Sequence, residues 1–314
     1  MEVKTPATLR EAISHFSDLD NCVAYMATKR WPNGVECPVC GSTKVKYDAT
    51  ARRWQCASHH PKRKFSLKTG TILEDSPLGL DKWLPVVWLV SNCKNGVSSW
   101  EIHRGIGVTQ KTAWFMLQRA RLALQGKNGG KLSGEIAADE SFIGGKARNM
   151  HAWKRAEKIH GRGPEGKTIV AAVLARGGEI RAKVIKTRRK ADVQTLVREN
   201  VEAGSNLYTD ALKSYDGMNE FTHQVVDHAV EYVNGAVHTN GCEDFWSLLK
   251  RSLKGTYVSV EPFHLFRYVD EQAFRYSNRQ DMNDSDRFDL AVSQIVGKRL
   301  TYKELTGHQN DEPF

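Results

Sequence analysis

Residues 134–145 read GEIAADESFIGG, an apolar run that breaks into two adjacent carboxylates, Asp139 and Glu140. An acid late in an apolar strand is costly to bury unless a cation or a metal sits beside it. The stretches that follow, KTIVAAVLARGG (167–178) and EIRAKVIK (179–186), also read as strands, and a helix is expected from Lys190 to Val201. NLYTDA (206–211) is a short strand that again ends on an acid, Asp210. ALKSYDGM is expected as a short helix, THQVVDH as a short strand, and CEDFWSLLKRSL and HLFRYVDEQAFRYSNR as amphipathic helices. Three strands, then helix, strand, helix, strand and helix predict an α/β fold with a mixed sheet over residues 135–280.

A third acid, Glu243, opens the helix CEDFWSLLKRSL, and Lys250 lies seven residues on, two turns later and on nearly the same ridge. Cleaving a phosphodiester requires that an attacking and a leaving oxygen be stabilised on opposite sides of phosphorus. Two divalent ions roughly 4 Å apart do this, and hard carboxylate oxygens hold Mg²⁺ or Mn²⁺. Two strand-borne aspartates and a helix-borne glutamate on a ribonuclease-H-like sheet would form such a cage, with Lys250 holding a DNA phosphate. Strand alternation puts Asp139 on one face with Ala137 and Ser141, and Glu140 on the other with Ile136 and Ala138. Both faces carry apolar residues, so periodicity leaves open which acid points toward the site.

Ahead of this lies a different kind of sequence. Residues 1–30 read as helical, with Leu9, Ile13, Phe16 and Leu19 at helical spacing. Residues 31–72 are rich in Lys, Arg, Gly and Cys, and contain CPVCGSTKVKYDATARRWQCASHH. A C-x2-C knuckle, a hairpin and a second knuckle offer Cys37, Cys40, Cys56 and His59 as tetrahedral ligands for one structural Zn²⁺, with His60 an alternative fourth ligand. Residues 78–125 return to helical periodicity. Within them GVSSWEIHRGIGVTQKTAWFMLQRARLAL has the rhythm of a helix-turn-helix: Ser98 or Ser99 caps the first helix, Gly105 and Gly107 mark the turn, and Thr109 caps the second. Gln110, Lys111, Thr112 and Arg119 are then expected on a DNA-facing side. GKNGGKLSG (126–134), with four glycines in nine residues, reads as a linker, and residues 281–314 as a C-terminal helical segment.

The chain of 314 residues carries a net charge of +10, and residues 141–190 hold fourteen Lys or Arg against three acids. Such a block suits a polyanion partner, because each neutralised phosphate releases counterions. Lys146, Arg148, Lys154 and Arg155 are candidates for flanking or target DNA, as are Lys250 and Arg251 near the third acid, and Trp153 could stack on an unpaired base. No apolar run reaches the roughly 20 residues that span a bilayer, and the N-terminus lacks an export signal. A cytoplasmic, nucleoid-associated protein without a membrane partner is expected, and its unpaired cysteines are expected to be reduced.

The motifs CPVCGS, FSLKTGTILEDSPLGLDKW, TQKTAWFMLQRAR, ADESFIGGK, LYTDALKSY, HTNGCEDFWSLLKRSLKGTY and FRYVDEQAFRYSNR together resemble the zinc-ribbon DDE transposases of bacterial insertion sequences, a group related to the eukaryotic Merlin elements. The resemblance runs from about Cys22 to Arg279. It implies that Asp139, not Glu140, is the first catalytic acid, with Asp210 the second, Glu243 the third and Lys250 the basic residue after it. His238, Thr239 and Asn240 match the family's HTN and would lie near the metals. At the second zinc knuckle many relatives have C-x2-C where this chain has Cys56 and His59. The implied activity is binding of terminal inverted repeats, metal-dependent hydrolysis that frees 3′-hydroxyl ends, and joining of those ends to target DNA. Two ends must be joined, so a homodimer on DNA is expected.

Overall fold

Thr8 and Asp18 accept backbone N–H groups at the starts of α1 (Leu9–Phe16) and α2 (Leu19–Arg30), satisfying donors that a helix's first turn leaves free. The structure is a computed structural model and describes residues 5–126, 129–161, 164–225 and 240–307 (of Lys154, the backbone). After α2 come three short antiparallel strands in the order β1 (Val45–Asp48), β2 (Arg53–Cys56) and β3 (Lys64–Phe65). Tyr47, Trp54 and Phe65 are cross-strand partners and share one face. Trp54 stacks with Phe65 at 6.1 Å, and Trp31 meets both rings edge-on. The basic stretch before Phe65 carried no strand signal. Phe65 nevertheless brings Lys64 into β3 by completing that aromatic face.

The helical part of this region is α3 (Leu80–Asn92), α4 (Ser99–Ile106) and α5 (Gln110–Leu124). Ser98 and Glu101 cap α4 reciprocally, and Gly107 ends it with a left-handed backbone (φ 66°) that a Cβ would strain. Thr109 caps α5 through the N–H of Thr112. These are the helix starts and the turn expected of a helix-turn-helix.

Residues Lys127–Gln280 form a unit of their own. Its elements are β4 (Glu135–Ile143), α6 (Ala152–Lys158), β5 (Thr168–Ala175), β6 (Ile180–Ile185), α7 (Lys190–Asn200), β7 (Asn206–Thr209), β8 (Thr222–Val225), α8 (Asn240–Ser252) and α9 (Leu265–Ser277). The sheet order is β6-β5-β4-β7-β8, with β4, β5 and β6 antiparallel and β4, β7 and β8 parallel. It is a mixed α/β fold of the ribonuclease-H-like kind. Both faces of the central strands are covered, which is why β4 and β5 read as near-continuous apolar runs. Ile136, Ala138 and Val173 pack with Val193 and Val197 of α7, while Ala137, Ala172 and Leu174 pack with Phe245, Trp246 and Leu249 of α8 and Val269 of α9. The expected linker is shorter than its glycines suggest. Leu132 is already buried here, bridged to Val201.

The chain then closes on its own beginning. α10 (Asp284–Ser293) and α11 (Tyr302–Thr306) belong with the N-terminal part, so that Met1–Gly126 and Asp281–Phe314 make one unit. Phe288 sits among Phe16, Tyr25 and Trp88, at ring distances of 5.0–5.7 Å. Asp289 accepts from Tyr25 and Lys29, and Lys298 donates to the carbonyls of Leu122 and Ala123 at the C-terminal end of α5.

Candidate active site and metal centre

β4 and β7 run parallel with Ala138 opposite Thr209, so Asp139 and Asp210 are the next residues on neighbouring strands. Paired strands lie about 4.8 Å apart, which brings the two acids side by side where β7 ends beside the middle of β4. α8 crosses the same end. The Cys242 thiol donates to the Ala137 carbonyl, and the Trp246 indole N–H donates to Asp139 Oδ2 at 2.8 Å. Glu243 lies between them in sequence, in the first turn of α8, and is exposed. Gly241 lets that turn approach β5 closely, since a Cβ there would stand 2.3 Å from Leu174 Cδ2. Lys250, half-buried, returns to the ridge of Glu243 about 10 Å along the helix.

Asp139 is held at both oxygens, because Oδ1 accepts the Glu140 backbone N–H at 2.7 Å while Oδ2 takes the indole. Burial pushes its carboxyl above the usual range, the two hydrogen bonds pull it back, and the negative fields of Asp210 and Glu243 raise it further. Asp210 Oδ1 accepts the N–H of Leu212, a local turn that fixes the carboxylate past the strand end. None of the three acids forms an ion pair among the described residues.

Glu140 faces the other way. Its Oε1 accepts from the buried Tyr215 hydroxyl on the α7 side of the sheet. Burial raises its carboxyl to about 7, the Tyr215 bond opposes that, and Asp210 and Asp139 add to it. Asp139 shares the side of α8 and Glu243, and Glu140 does not. Trp246 was missed from sequence, although its position one turn after Glu243 was a usable signal.

In the ribbon, Cys37, Cys40, Cys56 and His60 present donor atoms that all lie within 4.8 Å of one another. Cys37 Sγ is 3.4 Å from His60 Nε2, and Cys40 Sγ is 3.6 Å from Cys56 Sγ. Desolvation raises the Cys56 thiol, but hydrogen bonds from His60, Ser58 and Cys40 outweigh it and bring the thiol to about 6. The expected ligand His59 is corrected to His60. Adjacent side chains leave the backbone in different directions, and here His59 is exposed while His60 faces the thiols. Three thiols and an imidazole within bonding reach are a structural zinc set.

Residues 131–277 match the family model described as "ISXO2-like transposase domain", and residues 18–59 match "Transposase zinc-ribbon domain". The chain is 31% identical over 242 residues to "Uncharacterized protein in transposable element ISH50" of Halobacterium salinarum, an alignment covering 73% of this chain and 81% of that relative. The chain belongs to the zinc-ribbon DDE transposases of bacterial insertion sequences. A shorter similarity, 28% over 99 residues, links it to "Uncharacterized transposase-like protein" of Haemophilus influenzae, covering 31% of this chain and 80% of that one.

For a transposase, the expected DNA-facing residues are placed unevenly. Arg119 is a correction. It is 6% exposed, donates to the carbonyls of Leu300 and Glu74, and stacks over Phe115, so its charge is spent inside the N-terminal unit. The Gln110 side chain donates to Ser99, Thr112 pairs with Thr109, and Lys111, though exposed, lies over the Tyr302 ring at 4.9 Å. Lys146, Arg148 and Arg155 are exposed, and Trp153 is 70% exposed, in and around the α6 excursion between β4 and β5, and Arg251 is exposed in the last turn of α8. His238, Thr239 and the Lys154 side chain lie outside the described residues, while Asn240 opens α8. Among the described residues, no helix is long and apolar enough to cross a membrane.

Proposed function

We propose that this transposase is catalytically competent, and that Asp139, Asp210 and Glu243 together hold two Mg²⁺ or Mn²⁺ ions. The observation that carries the reading is the shared side of the sheet: Asp139 in the middle of β4 beside Asp210 just past the end of β7, with Glu243 on a helix bonded to Asp139 itself. When bound, such ions activate a water or hydroxyl oxygen and stabilise the leaving oxygen of a phosphodiester. The chain's own residues do the rest. Trp246 and the Glu140 N–H orient the Asp139 carboxylate, the Leu212 N–H orients Asp210, and Lys250 holds a DNA phosphate along the ridge of α8. The exposed cations of the α6 excursion hold flanking or target duplex.

The reaction is hydrolysis at the ends of the element, in which a water oxygen bonds to phosphorus as the 3′-oxygen bond breaks and leaves as a hydroxyl. That 3′-hydroxyl then bonds to a target phosphorus and displaces a target 3′-oxygen. Terminal inverted repeats are the DNA bound, and two copies of the chain join two ends. The test is cleavage of a duplex bearing the element's own ends with Mg²⁺ or Mn²⁺, alongside Asp210→Asn. Cleavage by the wild type and not by the variant is expected. Wild-type-level cleavage by Asp210→Asn would remove that residue from the mechanism.

A further inference from the structure

The helix expected to read DNA is poorly free to do so. Lys111 is the one fully exposed side chain of α5, and it lies over Tyr302, while the carbonyl of Leu300 takes Arg119. A different surface in the same unit carries unspent charge. In the ribbon's sheet, Lys46 is the cross-strand partner of Gln55, and Gln55 of Lys64, while Arg53 is the partner of Asp48. The intervening residues Tyr47, Trp54 and Phe65 face the opposite way, onto Trp31. Strand alternation therefore puts Lys46, Arg53, Gln55 and Lys64 on one outward face, and all four are exposed. Lys62 and Arg63 extend it along a groove of about 590 Å³ lined also by Gln55, Lys64 and one acid, Glu74.

The one acid in these strands, Asp48, accepts the N–H of Ala51 in its own turn. Lys46, Arg53, Lys62 and Lys64 form no ion pair among the described residues. Two acids border the face, Glu74 at the groove and Asp48 opposite Arg53, so the cations outnumber them, repel one another, and leave a surplus that a polyanion relieves. Lys46 and Lys64 stand two strand spacings apart, about 10 Å. That is comparable with the groove widths of B-form DNA, about 6 and 12 Å, so long flexible stems reach phosphates on both sides of a groove. Gln55 is the one side chain of the row able to both donate and accept, too little to read a sequence.

We propose that this outward face of the zinc ribbon is a sequence-independent clamp on the phosphate backbone of duplex DNA. The proposal rests on the DNA-binding reading above and adds where, and in what manner, the N-terminal unit grips. It separates positioning contacts, made by the ribbon, from whatever reads the inverted repeat.

The test uses full-length, zinc-loaded protein and fluorescence anisotropy over a salt series, with one duplex carrying the element's end and one of random sequence. The triple variant Lys46→Gln, Arg53→Gln, Lys64→Gln is expected to lower the slope of log K against log salt by roughly 2–3, since each phosphate contact contributes about 0.9. Affinity should fall by a similar factor for both duplexes. An unchanged slope in a variant with wild-type zinc content and melting would overturn the proposal, as would a loss confined to the end duplex. Should the triple variant lose zinc, Lys46→Gln alone decides, with an expected slope change of about 0.9. If the wild type binds neither duplex, the DNA-binding reading itself falls.

Discussion

The ribbon's Cys3His set and the three acids of the proposed site in the sheet unit are built on opposite plans. In the ribbon, all four donors come from residues 37–60, and their atoms lie within 4.8 Å of one another. In the sheet unit, the three acids of the proposed site span residues 139–243 and come from the middle of β4, the residue after β7 and the first turn of α8, and the fields of Asp210 and Glu243 raise the Asp139 carboxyl. The first plan fills a tetrahedron with protein and leaves no position for substrate, so its metal can serve only the fold. The second, as proposed, would leave positions open on a scaffold that packs without the metal, because the sheet is covered on both faces by α7, α8 and α9. Removing a donor from the first should therefore cost structure, and removing one from the second should cost chemistry.

The largest expected effect is loss of zinc. Structural zinc contributes on the order of 10–16 kcal/mol in small zinc modules. Chelation, or His60→Ala, should unfold the ribbon, seen as loss of bound zinc and of the ribbon's melting transition. His59→Ala should keep both, and zinc loss in that variant instead would return the ligand to position 59. Next comes Asp210→Asn, expected to lower metal-dependent cleavage by about 10³-fold, roughly 4 kcal/mol of barrier, with melting and DNA affinity unchanged. A drop in melting as large as the zinc variant's would erase the contrast between the two plans.

Trp246→Phe should act more mildly. It keeps an aromatic ring beside Phe245 but removes the N–H that holds Asp139 Oδ2. The expected result is about a tenfold rise in the metal concentration that half-saturates cleavage, near 1.4 kcal/mol, with Mn²⁺ binding measured by electron paramagnetic resonance weakened in step. An unchanged half-saturation would reduce the indole to packing. Glu140→Gln should matter least. Burial raises its carboxyl to about 7, so about half of it is already uncharged near neutrality, and a stability change under about 1 kcal/mol with cleavage retained is expected. Abolished cleavage would move Glu140 into the site.

The strands and helices of the catalytic unit were legible because their apolar runs and helical spacing are long. Lys190–Asn200 falls within a residue of where the pattern puts it, and Thr168–Ala175 ends three residues before the expected stretch does. The choice between Asp139 and Glu140 was not legible from alternation, because a strand covered on both sides has no polar face to break the tie. His59 and His60 are adjacent, and spacing rules tolerate both. Arg119 misled for a different reason. A cation on a helix looks solvent-facing until a distant segment, here Leu300 and Tyr302, supplies carbonyls and a ring to cover that stretch of α5. The docking of residues 281–307 onto the start of the chain depends on Phe288 meeting Phe16, Tyr25 and Trp88, a contact that no local pattern encodes.

Whether three side chains so far apart in sequence share one pair of divalent ions can be read by loading the zinc-bound protein with Fe²⁺ and mapping backbone cuts made by hydroxyl radicals. Cuts next to residues 139, 210 and 243 in the same preparation, lost together in Asp210→Asn, are the expected outcome. Cuts at one of the three, or at none, would contradict a shared site.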